Sequence, residues 1–209
     1  YDVSTVKFLD VVRMTVGQVD CTVQRVSYTG DLGYEIYCDP MDQRQLWQTL
    51  WNAGQPLGIT PFGMRAMMSL RLDRHFGSWL SEFSPDYTAA ETGMDRFISF
   101  KKPDDFIGRE AAEAERDNPP TRILATFEVD AEDADVVAYE PVFIDDYVQG
   151  FCTSGGYSHH AGKSIAIALI PREHATAGKI VEIEIMGKRR KATLIAEHLF
   201  NPDGSAMRG

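Results

Sequence analysis

From Val19 to Tyr28 apolar and polar positions alternate, with Val19, Cys21 and Val23 on one side, which is the period of a half-buried β-strand. Tyr28-Thr29-Gly30-Asp31-Leu32-Gly33 supplies turn chemistry, and residues Tyr34 to Cys38 resume as a strand. Asp39-Pro40 reads as the opening of a helix with proline at its first position. Leu46, Trp47, Leu50 and Trp51 fall at helical spacing and define the face it buries, and Gly54 stops it. A second helix opens at Thr60-Pro61 by the same logic and carries Met64, Met67, Met68 and Leu72, a stripe that reads as core. The stretch from Asp73 to Lys102 is rich in aromatics and glycine and is loop-like around Phe76-Gly77-Ser78-Trp79. Loops that carry large aromatics often build ligand pockets. Gly108 to Arg116 reads as a short helix.

The pattern then changes. Asp117-Asn118-Pro119-Pro120 is a linker in which a helix cannot continue. Beyond it lie short β-type runs separated by turn residues: 123–129, 142–144, 151–153, 164–170, 180–185 and 192–196. Such spacing points to a small antiparallel barrel or sandwich. The expected organisation is an α+β part over residues 1–118 and an all-β part over residues 119–209.

Composition removes several function classes. Charged residues make up 25% of the chain and the net charge is -10, so the basic footprint of a nucleic-acid binder is missing. Lys188-Arg189-Arg190-Lys191 is the one basic cluster and reads as a solvated hairpin tip; the acidic run Asp130–Asp135 lacks the glycine and final glutamate of a calcium loop and reads as a solvated loop. No stretch nears the roughly 18 apolar residues of a membrane span, and no secretory signal is present. Three cysteines, Cys21, Cys38 and Cys152, with no CxxC spacing argue against a disulfide framework or structural zinc. The expected setting is cytoplasmic. Because the chain opens on Tyr1 and runs directly into apolar sequence, it reads as a fragment.

General catalytic motifs do not occur: there is no GxSxG, Walker loop or GxGxxG. Thr153-Ser154-Gly155-Gly156 could wrap a phosphate, and His159-His160 could suggest a metal, but neither has a supporting cluster. No metal is expected.

Four blocks carry a resemblance. Arg25-Val26-Ser27-Tyr28-Thr29-Gly30-Asp31-Leu32-Gly33-Tyr34-Glu35-Ile36 resembles a signature of the folate-binding aminomethyltransferase family, which includes the glycine-cleavage T-protein and the C-terminal parts of dimethylglycine and sarcosine dehydrogenases. Ser69-Leu70-Arg71-Leu72-Asp73 resembles the family's SLRLE. Glu91-Thr92-Gly93-Met94-Asp95 with Asp105-Phe106-Ile107-Gly108-Arg109-Glu110 resembles its PxExGLD…FIGRE. Thr153–Ser158 and Gly162–Ala166 resemble its C-terminal barrel strands. The likeness spans nearly the whole chain. Arg65-Ala66-Met67-Met68 and His75-Phe76-Gly77-Ser78-Trp79 lean towards the dimethylglycine and sarcosine dehydrogenase branch.

The resemblance implies a partial folate-binding aminomethyltransferase domain followed by the C-terminal β-barrel. It implies a tetrahydrofolate-dependent one-carbon transferase that forms methylenetetrahydrofolate from an amine donor. Glu35 matches the family's pterin-binding glutamate: a pterin edge offers amidine-like N–H donors that one carboxylate can accept as a pair. Tyr28 matches a tyrosine lining the folate site, where an aromatic face stacks on the pterin. Arg71, Trp79 and Tyr157 complete the cofactor-binding candidates. Two features depart from the family. Its folate-contacting arginine, two residues before SLRLE, is Met67 here, with Arg65 and Arg71 nearby. Its key aspartate lies upstream of the stretch that Asp2-Val3-Ser4 resembles, so no catalytic residue is assigned and this chain is expected to lack the first third of the unit. The implied partners are an amine donor and an upstream dehydrogenase domain or a carrier protein. The alternatives are a folate-dependent demethylase of a sulfonium or methylamine substrate and a non-catalytic folate-binding module. The iron–sulfur-assembly branch, with its KGCYxGQE motif, ranks low because 105–110 has no cysteine.

Overall fold

A computed structural model describes residues 2–209. The chain forms two compact units. One runs to Arg74 and takes back the C-terminal Phe200–Gly209; the other is His75–Leu199.

In the first unit β1 (Val11–Val16), β2 (Val19–Gln24) and β3 (Glu35–Tyr37) make an antiparallel sheet in chain order. Val16 pairs with Val19 around a two-residue turn, and the register continues to Val11 opposite Gln24. Side chains alternate across a strand, so one face collects Val19, Cys21 and Val23, all buried, with Val12, Met14 and Ile36 beside them. Helix α1 (Gln43–Gly54) adds Leu46 and Leu50 to this cluster. Trp47 does not join the buried face as its spacing suggested: it is 58% exposed and stacks on Trp51 at 6.0 Å between ring centroids. Pro40 does not start the helix either. Asp39 Oδ1 accepts the Met41 N–H at 2.9 Å and the Asp39 carbonyl accepts the Asp42 N–H at 3.0 Å. These bonds close a turn first, and α1 begins at Gln43. Helix α2 (Met64–Leu72) likewise starts after Gly63 rather than at Thr60-Pro61, and of its methionine stripe Met64 stays exposed while Leu72 is buried.

Two buried arginines tie the ends of this unit together. Arg25 donates through Nη1 to the Val6 carbonyl and through Nη2 to the Arg208 carbonyl, both at 2.6 Å. Arg74 Nη1 donates to the carbonyls of Phe200, at 2.9 Å, and Asn201. Each bond to a charged donor also satisfies a backbone oxygen that burial would leave without water.

The second unit holds a closed six-stranded antiparallel barrel of order β4-β7-β6-β5-β8-β9, built from β4 (Arg122–Val129), β5 (Pro141–Ile144), β6 (Tyr147–Ser158), β7 (Lys163–Pro171), β8 (Ile180–Ile185) and β9 (Lys188–Ile195). Closure removes the exposed edges that make an open sheet prone to pairing with another chain. Phe127, Val142, Cys152, Ala166, Ala168, Ile183 and Ala192 fill the interior. Ile165, Ile167 and Leu169 face outward yet are at most 2% exposed, which explains the unbroken apolar run of β7. On that side Ser81 Oγ donates to the Thr153 carbonyl, and Arg172 Nη2 donates to the Ala90 carbonyl. Between residues 75 and 121 lie α3 (Ala89–Thr92) and α4 (Arg109–Asp117). Among the described residues, no strand pairing crosses residue 118, and compactness places 75–118 with the barrel.

Two expectations change here. The run Lys188–Lys191 is the start of β9, with the turn at Met186-Gly187 before it. It meets the acidic stretch: Arg190, 11% exposed at its side chain, pairs with Glu132 and Asp133 at 2.8 Å, and Lys188 reaches Asp133 at 3.4 Å. The acidic stretch is an exposed loop, as read, while the basic run is a strand end paired with it rather than a free tip. Thr153-Ser154-Gly155-Gly156 lies inside β6, where Ser154, Gly155 and Gly156 pair with Ile167, Ala166 and Ile165 of β7 and the register shifts at Thr153, so the segment is barrel strand rather than a phosphate loop.

Candidate functional site

The β2–β3 hairpin carries the two strongest candidates. Tyr28, half-buried, sits in the connection between the strands, and Glu35 opens the return strand opposite Gln24. The connection holds its shape through the Ser27 hydroxyl, which accepts the Gly30 N–H at 2.9 Å. Gly30 has φ of 94° and a Cβ there would meet the Arg74 side chain at 2.7 Å, so both backbone and space demand glycine in this motif.

Glu35 points away from the core. Its face of the sheet, read across the register, shows Val11, Gln24 and Glu35 in one row and Arg13, Thr22 and Tyr37 in the next. Tyr37 donates its hydroxyl to Glu35 Oε2 at 2.5 Å, and this bond to a carboxylate, with its negative charge, raises the Tyr37 phenol above its ordinary value. Beside this row lies an open cavity of about 650 Å³ lined by Arg13, Thr22, Tyr37 and Asp39 among others. An exposed carboxylate, held at one oxygen and open at the other, suits a ligand that presents paired N–H donors.

The remaining candidates divide between the units. Arg71, on the last turn of α2, is 4% exposed and its Nε lies 3.3 Å from Met68 Sδ. It belongs to the same unit as Tyr28 and Glu35. Trp79 and Tyr157 belong to the other unit. Trp79 is 78% exposed, and Tyr157, near the end of β6, meets His159 edge-on at 5.1 Å. His159 and His160 are exposed, and among the described residues no group of three or more His, Cys, Asp or Glu could hold a metal. The sequence reading missed Tyr37. The signal was present, since a residue two positions after Glu35 on a strand shares its face.

The two halves of the chain match two family descriptions in order: "GCVT N-terminal domain" over residues 1–102 and "Glycine cleavage T-protein C-terminal barrel domain" over residues 122–201. The chain belongs to the glycine-cleavage T-protein family. Dimethylglycine dehydrogenase, mitochondrial, of Rattus norvegicus is 38% identical over 193 residues, 92% of this chain and 22% of that protein. An aminomethyltransferase of Desulfitobacterium hafniense is 33% identical over 191 residues, 90% of this chain and 52% of that protein. The crystal structure of glycine cleavage system aminomethyltransferase T from Bartonella henselae superposes with a TM-score of 0.85 at 20% identity, covering 95% of this chain and 54% of that one, which establishes the fold. The fold is therefore a partial aminomethyltransferase domain followed by the family's barrel. The chain spans about half the length of the aminomethyltransferases it matches and about a fifth of the dimethylglycine dehydrogenases. No helix among the described residues is long and apolar enough to cross a membrane.

Proposed function

We propose that this chain supplies the tetrahydrofolate-binding part of a one-carbon transferase that forms methylenetetrahydrofolate from an amine donor. The observation that carries the reading is Glu35: an exposed carboxylate at the start of β3, oriented by Tyr37 and placed within the sequence motif by which the chain resembles its family. Glu35 would accept a pair of N–H groups from the pterin edge, with Tyr28 stacking on the ring and Arg71 a candidate for the folate's anionic tail. Trp79 and Tyr157 remain candidates for contact with the cofactor.

The chemistry asked of such a protein is modest. Tetrahydrofolate is itself the nucleophile, so the polypeptide needs to hold it and the donor carbon in attack geometry; that contribution is mainly entropic. No protein nucleophile is required, in keeping with a sequence that carries no nucleophile motif. The proposed donor is a small amine, delivered by an upstream dehydrogenase domain or a carrier protein, and the proposed setting is the cytoplasm. Residues 1–118 would serve as the folate-binding portion and 119–209 as the barrel portion.

The test is titration calorimetry of folinic acid against the chain, followed by assay of methylenetetrahydrofolate formation from dimethylglycine-type and carrier-bound donors. Saturable 1:1 binding that is lost in Glu35→Gln supports the reading. Absence of binding by a folded wild type sinks it.

A further inference from the structure

Two cysteines that sequence spacing keeps apart are brought side by side by the register of the first sheet. The β2–β3 pairing runs from Gln24 opposite Glu35 to Thr22 opposite Tyr37. Continuing it one residue places Cys38, directly after β3, opposite Cys21 in β2. Both fall on the covered face of the sheet, since Cys21 is a buried member of the apolar cluster under α1 and Cys38 packs against the same cluster. Both also line the 650 Å³ cavity. Directly opposed residues in an antiparallel pair have Cα atoms about 4.5–5.5 Å apart, within the roughly 4.4–6.8 Å that a disulfide bridges. Cys38 lies just beyond the three-residue edge strand, where the backbone can yield to close the remaining gap.

We propose that Cys21 and Cys38 are an oxidisable cross-strand dithiol, a modification site at which a peroxide converts the pair to a disulfide that clamps β2 to β3. Cys38, the more exposed of the two, is the attacking thiol. Its thiolate displaces hydroxide from the peroxide O–O bond, giving a sulfenic acid and, after protonation, one water. The Cys21 sulfur then attacks the Cys38 sulfur, the S–OH bond breaks, and a second water leaves with the Cys21 proton. Two thiols are oxidised and one peroxide is reduced to two waters. Cys21 suits the resolving role, because burial and the neighbouring Cys38 hold its thiol above the ordinary range and keep it from reacting first. Cys152 is a poor competitor: it is fully buried in the barrel and burial pushes its thiol up to about 12. The bridge would close the loop that carries Tyr28 and Glu35, and the inference stands independently of whether that loop binds folate.

The experiment treats the full chain with hydrogen peroxide, then counts free thiols after denaturation and maps the peptides by mass. The expected result is a monomer whose count falls from three thiols to one, lighter by two hydrogens, with Cys21 linked to Cys38. Cys152→Ser should show the same loss of two thiols. Cys38→Ser should leave Cys21 reduced, with far-UV circular dichroism checking that it folds; the wild-type peptide map decides the matter even if it does not. A folded wild type that keeps three thiols, an intermolecular bridge, or a Cys38 carried to sulfinic acid with Cys21 still reduced overturns the proposal.

Discussion

Tyr37 donates its hydroxyl to Oε2 of Glu35 at 2.5 Å, across one two-residue step of β3, and so fixes the orientation of the carboxylate on which the folate reading rests. Tyr37→Phe removes that constraint while keeping the ring. Folate affinity should weaken about three- to tenfold, a positioning effect. Glu35→Gln, which puts an amide donor against a pterin N–H, should cost on the order of 2–3 kcal/mol, roughly thirty- to a hundredfold or more. Calorimetry with folinic acid ranks the two. Equal affinities for wild type and Glu35→Gln would remove Glu35 from the site.

The same bond has a signature at high pH. The phenol is raised because its proton is shared with a carboxylate. A raised pKa means the contribution is fully present below the unfolded value near 10 and is lost as pH rises through the folded value. In a phenolate absorbance titration, the difference between wild type and Tyr37→Phe should therefore be one tyrosine titrating above 10. A difference curve centred at or below 10 would mean the bond is not formed in solution.

Glu82 is 0% exposed, accepting the Ser78 N–H at Oε2 and the Thr153 hydroxyl at Oε1, both at 2.7 Å. A buried carboxylate left without donors is costly, and so are its donors left without it. Thr153→Val should destabilise the chain by about 1–3 kcal/mol, and Glu82→Ala, which takes this acceptor from the Ser78 N–H and leaves the Thr153 hydroxyl its longer bond to the Ile167 carbonyl at 3.1 Å, by about 2–5 kcal/mol. Urea unfolding followed by tryptophan fluorescence measures both. A change below about 0.5 kcal/mol in Glu82→Ala would show that water reaches the site.

Acid should loosen the second unit through Glu91. Burial pushes this carboxyl up, but hydrogen bonds from Arg122 Nε, at 2.5 Å, and from the Thr88 N–H outweigh it, and the net effect lies below the ordinary value of 4.5. For a depressed carboxylate, the stabilisation is present above the unfolded value and lost as pH falls through the folded one. Stability should therefore drop below about pH 4.5, and Glu91→Gln should flatten that part of the profile while lowering stability at neutral pH. A mutant profile parallel to wild type between pH 3 and 5 would assign acid sensitivity to other groups.

How much of this was legible in the sequence follows from where the forces act. The six barrel strands were visible because each is a short β-type run bracketed by turn residues; Ile180–Ile185 was read to the residue, and Phe151–Thr153 was only the centre of the longer β6. Strand β1 escaped notice although its signal was present: Val12, Met14 and Val16 alternate with Arg13 and Thr15, and Val16-Gly17-Gln18-Val19 is a hairpin turn. The two prolines misplaced both helix starts: at Pro40 the side-chain and backbone bonds of Asp39 claimed the amides first, and α2 begins only after Gly63. At the site, motif likeness singled out Tyr28 and Glu35, and Tyr37 was legible as the residue two places on in the same strand, while the juxtaposition of Cys21 and Cys38 depends on cross-strand register, which no local pattern of residues states.

Trp79 tests site against scaffold. At 78% exposure its ring contributes little to packing, so Trp79→Ala should shift stability by no more than about 0.5 kcal/mol. If it contacts bound cofactor, folinic acid should quench its fluorescence in the wild type and bind several-fold more weakly to the variant. A variant of normal stability and unchanged affinity would drop Trp79 from the candidates.

Gly155 separates a packing glycine from a ligand-binding one. It lies within β6, and a Cβ there would sit 2.4 Å from the Val136 carbonyl oxygen and 2.5 Å from Val136 Cβ. Real carbon atoms do not approach so closely, and the obstacle is largely backbone, so a rotamer change cannot relieve it. Val136 is itself 1% exposed and part of the barrel core, which limits how far it can retreat. Gly155→Ala should therefore cost about 1–3 kcal/mol or more by overpacking. Adding Val136→Ala removes Cγ1 but leaves the carbonyl and Cβ in place, so the double mutant should recover little, with a coupling below about 0.5 kcal/mol. Urea denaturation of the two singles and the double completes the cycle. Full recovery in the double mutant would show that only the Val136 methyls stood in the way, and an undestabilised Gly155→Ala would return this glycine to the list of residues kept for a ligand.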